Sequence, residues 1–253
     1  SIPFTSAISD FTGKKKAFLK LYCYLGSLSC MLLYFFEEGR YYLGTFAFLF
    51  SIVGWGGSIV FYNSYLPEIA TEDRFDNLSA KGFSLGYIGS VILLLQNLTM
   101  VLKPEWYGGI TSGQASRISF LSVGIWWIVF AQIPFSILPE TKKEKKKEGG
   151  WIFNGFRELK KVFHELQGLE FTKKFLLAFF FYNMAAQTVM YLGALFGSEE
   201  LHLPDDALII TILLIQLVAI PGAYLFAKIS KKIGNTASIS WIVVIWIVIC
   251  IAA

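Results

Sequence analysis

Long apolar runs alternate with short polar joints along this chain. Seven runs lack an acidic or basic residue at their centre. They cover about 17–36, 42–66, 82–102, 117–138, 174–196, 206–227 and 237–253. A helix that crosses a bilayer needs about 20 apolar residues, so each run predicts a spanning helix. Residues 1–9 read as the tail of one further span, and the last run reaches the final residue.

The polar positions between runs carry the charge. Lys14, Lys15, Lys16 and Lys20 precede the first full span, Arg74 and Lys81 lie in the third joint, and Lys228, Lys231 and Lys232 follow the sixth span. The long segment 139–174 is richer still in Lys and Arg. Of the 22 basic residues only Arg40, Lys103 and Arg117 fall on the opposite joints, where Glu199, Glu200, Asp205 and Asp206 also lie. Cytoplasmic loops carry the excess of Lys and Arg, which predicts that the joints 10–20, 67–81, 139–174 and 228–236 face the cytoplasm.

Composition narrows the class further. Hydrophobic residues make up 55% and charged residues 16% of the 253 residues, with a net charge of +4. A soluble domain carries about 25% charged residues, and a disordered chain is far less apolar. The basic runs alternate with spans, so they mark topology and not a nucleic-acid surface. Cys23, Cys30 and Cys250 all lie in apolar runs and read as small buried hydrophobes. No cofactor is called for. There is no His-Glu-x-x-His pattern and no phosphate loop around Gly13-Lys14-Lys15-Lys16, which lacks the upstream Gly and the Ser or Thr after Lys. An enzyme is therefore not expected.

The middle of the chain has two parts. Residues 141–148 (TKKEKKKE) hold no apolar side chain and predict a solvated linker. From Trp151 to Phe171, Ile152, Phe156, Leu159, Phe163 and Leu166 recur at steps of four and three, with Arg157, Lys160 and Lys161 on the wetter side. That spacing predicts an amphipathic helix at the inner membrane surface. His164 has no second His or Cys nearby and reads as a surface residue.

Two joints resemble each other. Ser6-Ala7-Ile8-Ser9-Asp10-Phe11-Thr12-Gly13 aligns with Ala227-Lys228-Ile229-Ser230-Lys231-Lys232-Ile233-Gly234. Internal repeats of this kind accompany transporter folds built from related helical bundles. With the following lysines, the first copy resembles the signature joining spans two and three of the major facilitator superfamily. Ser6 stands where that signature has Gly, and Lys231 where the second copy would carry Asp. Further stretches resemble one branch, the fungal vacuolar amino-acid effluxers and their bacterial relatives. These are Asn63 to Ala70, Lys81 to Gly89, Phe181-Tyr182-Asn183, Gln187-Thr188, Phe196 to Leu201 and Gln216 to Gly222.

The resemblance implies an all-α integral membrane protein of the major facilitator fold, two six-helix bundles of which this chain covers spans three to nine. Residues 1–138 then belong to the N-terminal bundle, 139–172 form the cytoplasmic linker with its amphipathic helix, and 173–253 belong to the C-terminal bundle. It implies secondary active transport of a small solute, with amino acids as the candidate class and a proton or ion as the coupling partner. A non-transporting receptor or scaffold on the same fold is the alternative. The setting is the lipid bilayer of a bacterial inner membrane, or of a vacuole in a eukaryote. Asp10, Gly13, Lys14 and Lys15 take the place of the family's conformational switch.

Polar groups at mid-membrane are costly and so point to function. No span carries a charge at its centre, and Met184 stands where related sequences often have an acid. The candidates for solute binding are neutral: Asn183 and Gln187, four apart and so on one helix face, with Tyr182 beside them, then Gln216, Asn63, Gln96 and Asn97. Amides both donate and accept, which suits a zwitterion. Glycines at 54, 56, 57, 82, 86 and 89 are expected to let helices approach closely.

Overall fold

The computed structural model describes residues 2–140 and 151–252. Linker residues 141–148 lie outside the described residues. The described residues form helices and turns, with no strand among them. In chain order the helices are α1 (Ile2–Thr12), α2 (Lys15–Leu32), α3 (Tyr41–Asn63), the single turn α4 (Leu66–Ile69), α5 (Phe75–Leu102), α6 (Ser112–Ile137), α7 (Trp151–Gln167), α8 (Glu170–Glu199), α9 (Asp205–Ile233) and α10 (Asn235–Ala252).

Six of these helical stretches are long and apolar enough to cross a membrane: 15–35, 41–69, 72–102, 112–137, 170–199 and 206–233. The seventh expected span appears as a shorter apolar helix, Asn235–Ile251. Most helices outrun the apolar runs that predict them. α5 begins at Phe75 and not near 82, carrying Asp76, Asn77, Ser79 and Lys81 in its first turns. α6 begins at Ser112 because Thr111 and Gln114 form a reciprocal cap. The Thr111 hydroxyl accepts the Gln114 amide at 3.3 Å, and the Gln114 side chain accepts the Thr111 amide at 2.9 Å.

Contacts group the helices into two units, Ser1–Ile69 with Pro104–Leu169 and Ala70–Lys103 with Glu170–Ala253. The expected boundaries near 138 and 172 follow chain order. The contacts follow packing, because α5 lies on α9.

In the first unit, α2 packs between α3 and α6. Small residues permit this. A Cβ on Gly54 would strike the backbone of Gly26 and come within 2.8 Å of the Tyr22 carbonyl, and one on Gly124 would lie 2.7 Å from the Ser27 carbonyl. Around that crossing Leu19, Tyr22, Cys23, Phe61, Tyr65 and Phe135 form the buried core. Phe61 stacks on Phe18 and Tyr22 with ring centroids 5.6 and 5.7 Å apart. Gly54 allows the close approach expected of it. Gly86 does not, since a Cβ there would meet open space.

In the second unit α9 packs on α5, and α8 and α10 touch α9. Both α8 and α9 leave large apolar side chains open, Phe180, Phe181, Leu214 and Val218 among them. Water does not tolerate such a surface, and a bilayer solvates it. Cys23 and Cys30 are buried and reduced as expected. Cys250 is exposed on α10, which corrects its reading as a buried group: it lies on a side of the helix that no described residue covers.

Candidate functional site

The first joint is a tight turn between α1 and α2. Gly13 has φ +66°, a left-handed backbone that favours glycine, so the chain reverses there without strain. Asp10 lies in the last turns of α1, and its side chain is outside the described part. Lys14 is exposed, while its carbonyl accepts the first amides of α2 from Ala17 and Phe18.

Lys15 is held from three directions. It pairs with Glu68, donates to the Ser64 carbonyl at 3.1 Å, and lies 5.1 Å from the centre of the Tyr65 ring. A charge this sheltered stays put only because an opposite charge and a carbonyl receive it. Two further lysines join the same surface. Lys16 donates to the Leu138 carbonyl at the end of α6 at 2.9 Å, and Lys20 lies over the Phe135 ring at 5.6 Å. Tyr65, 1% exposed, reaches the Pro139 carbonyl at 3.4 Å. Sequence reasoning found Lys14 and Lys15 but missed Glu68, Lys16 and Lys20. The available signal was that Glu68 and these lysines sit in joints assigned to one side of the membrane.

The neutral amides are scattered over the two units. Asn183 is half-buried and Gln187 exposed, one turn apart on α8, with Tyr182 half-buried beside them and edge-on to Phe179 at 5.3 Å. Gln216 belongs to the packing of α9 on α5, where its amide meets the hydroxyl of Ser90. Asn97 on α5 is half-buried and has a partner, whereas Gln96 beside it is exposed. Asn63 ends α3, exposed, in the first unit. So Asn183, Gln187 and Tyr182 share one helix, Gln216, Gln96 and Asn97 lie on its companions in the second unit, and Asn63 belongs to the first unit.

A polar seam runs between α5 and α9, unread in the sequence. It has three rungs. Ser230 donates to the Asp76 carboxylate at 2.9 Å, Ser84 donates to the Ile220 carbonyl at 3.4 Å, and Ser90 meets Gln216. As residue numbers rise on α5 they fall in step on α9, so the helices run antiparallel. From Asp76 to Ser90 is 14 residues, about 21 Å of helix rise. Ser230 also meets the Asn235 side chain at the start of α10. This end of the seam opens into a cavity of about 360 Å³, lined among others by Asp76, Ser79, Phe83, Ser230, Asn235 and Ser238. Among the described residues no group of three or more His, Cys, Asp or Glu could hold a metal ion.

Helices of membrane-crossing length, charged joints and hydroxyl-rich seams between apolar helices define an all-α, multi-pass membrane protein, in keeping with the major facilitator fold that its first joint resembles. Over residues 1–253 the chain matches the family described as vacuole effluxer Atg22 like, and it belongs to that family. It is 28% identical to the uncharacterized MFS-type transporter YxiO of Bacillus subtilis, over 99% of this chain and 58% of that protein. It is 26% identical to autophagy-related protein 22 of Vanderwaltozyma polyspora, over 86% of this chain and 48% of that protein. Autophagy-related protein 22 of Yarrowia lipolytica is 23% identical, over 91% of this chain and 51% of its own length. The chain thus spans about half the length of the curated relatives it matches. No solved structure matches it.

Proposed function

We propose that this chain is part of a secondary transporter that moves a small solute by alternating access, with amino acids as the solute class. Membership of a family described by its effluxer, together with paired amides on a spanning helix, supports this reading. Asn183 and Gln187 project from one face of α8 at a depth where charge is absent. Amides there recognise an ammonium and a carboxylate without the cost of burying a protein charge. Tyr182 borders the same stretch. Gln216, Gln96, Asn97 and Asn63 are secondary candidates. Gln216 is the weakest of these, because its amide is already engaged by Ser90.

On this reading Asp10, Gly13, Lys14 and Lys15 form a switch at the first joint. The glycine turn sets the geometry, and the Lys15–Glu68 pair holds α2 to α4, the turn after α3. The segment 139–172 links two helical halves of the complete transporter, and a proton or ion supplies the driving force.

The test is uptake and counterflow of amino acids in proteoliposomes holding the complete protein. Asn183→Ala and Gln187→Ala are each expected to reduce transport at low solute about tenfold, the effect of one lost hydrogen bond to a charged group. Unchanged apparent affinity and rate in both variants would remove these residues from the solute site. Failure to transport any amino acid, with the protein folded, would overturn the assignment and favour a receptor or scaffold.

A further inference from the structure

The apolar face of α7 is covered over only part of its length. Near its start a Cβ on Gly155 would come within 2.6 Å of the Ile8 side chain, and the Phe156 ring lies 4.5 Å from that of Phe4. These contacts seat the first half of α7 on α1. Val162 and Phe163 continue the same face, three and four residues beyond Leu159, and are exposed, Phe163 at 65%. Leu169 and Phe171, just past the helix, are exposed too. Apolar side chains gathered this way mark a surface that something covers.

Chain continuity and charge identify the occupant. α7 ends at Gln167, and α8, long and apolar enough to span, begins at Glu170. Three residues reach at most about 11 Å. The last turn of α7 therefore stays close to the level at which α8 enters the bilayer. Lys160 is exposed at the edge of the apolar face, while Arg157, also exposed, and Lys161 lie further round the helix on its wet side, Lys161 partly offset by Glu165 at 3.8 Å. Lys173 and Lys174 follow at the start of α8. Long cationic side chains lay their stems along apolar surface and carry the charge to the phosphate level.

We infer that α7 docks on anionic phospholipid in the leaflet where α8 begins, through Val162 and Phe163 with Lys160 at their edge and the Arg157 charge within reach of the surface field. The inference rests on the membrane placement of the chain and not on the identity of any solute. A zwitterionic surface would accept the apolar face alone. An anionic one also attracts each basic side chain, by about fivefold in affinity apiece at the surface potential of such a leaflet.

The experiment is hydrogen–deuterium exchange of the 253-residue chain in nanodiscs of phosphatidylcholine alone or mixed with phosphatidylglycerol. Amides of 159–167 are expected to exchange about tenfold more slowly when phosphatidylglycerol is present, and high salt should erase the difference. Arg157→Gln with Lys160→Gln should abolish the protection, and Arg157→Lys with Lys160→Arg should restore it. Peptides from α2 and α3 report whether each variant is folded. Equal exchange in the two lipids overturns the inference. So does protection that ignores salt, which would point to purely apolar insertion or to a protein partner. If the glutamine variant fails to fold, the lipid and salt comparisons on the unaltered chain decide the matter.

Discussion

Two glycines of the same outward type have opposite surroundings. Gly54 faces the backbone of Gly26 across the α2–α3 crossing, so an added methyl has only backbone to displace. Gly54→Ala should therefore force the helices apart and cost about 1–3 kcal/mol, the usual penalty of overpacking. Gly86 sits on α5 facing open space, and Gly86→Ala should be neutral or gain up to about 1 kcal/mol from helix propensity. Thermal unfolding of the two variants in detergent, followed by the monodisperse fraction, checks both. A Gly54→Ala chain that melts with the unaltered one would mean that the crossing is loose. Spacing in the sequence cannot separate these glycines, because it does not say which helix face turns toward a neighbour. The same limit applies to amides. Gln216 and Gln187 look alike along the chain, yet one meets Ser90 while the other is exposed.

Among the elements, the existence and order of the helices were legible and their pairing was not. Hydropathy measures how much chain fits in hydrocarbon, so it located the spans but placed the start of α5 too late. The residues around Asp76 are polar and still helical, since a helix continues past the membrane when its backbone bonds remain satisfied. The amphipathic period from Ile152 to Leu166 did predict α7, because that helix has a wet side. The spanning helices are apolar nearly all round, so no stripe announces that α5 meets α9. Only scattered serines mark the seam. Its rungs should contribute unequally. Interhelical hydrogen bonds in membranes average about 0.6 kcal/mol, so Gln216→Leu, which trades one such bond for apolar surface, should shift stability by less than about 1 kcal/mol. Ser84 is 1% exposed and donates to the Ile220 carbonyl. Ser84→Leu adds volume where α5 and α9 touch and should cost about 1–3 kcal/mol. Unfolding titrations in denaturing detergent rank the two. Equal losses, or a larger loss for Gln216→Leu, would show that polar bonding and not close packing sets the strength of the seam.

At the scale of each unit taken by itself, contacts join stretches that the charge pattern assigns to one side. In the first unit Lys15 pairs with Glu68, and Lys16 reaches the Leu138 carbonyl, so the joint at 10–20 meets the start of the joint at 67–81 and the end of α6. Arg117, in the first turns of α6, pairs with Glu37 after α2, and both are assigned to the opposite face. In the second unit Asp76, Ser230 and Asn235 bring the third joint to the one after α9. Packing of this kind fixes which joints share a side but not which side is the cytoplasm. The excess of Lys and Arg supplies that choice. Labelling with a membrane-impermeant maleimide tests it in a Cys250→Ser background, where Cys23 and Cys30 are buried. Glu105→Cys, on the exposed turn after α5, should react in intact cells. Thr236→Cys, exposed at the start of α10, should react only after the membrane is opened. The reverse pattern would invert the topology and place α7 on the outer leaflet. Reaction of both sites in intact cells would mean that α6, α8 and α9 do not all cross the membrane. The ion pairs of the first unit would survive either result, because they depend on which joints are neighbours and not on what lies beyond the bilayer.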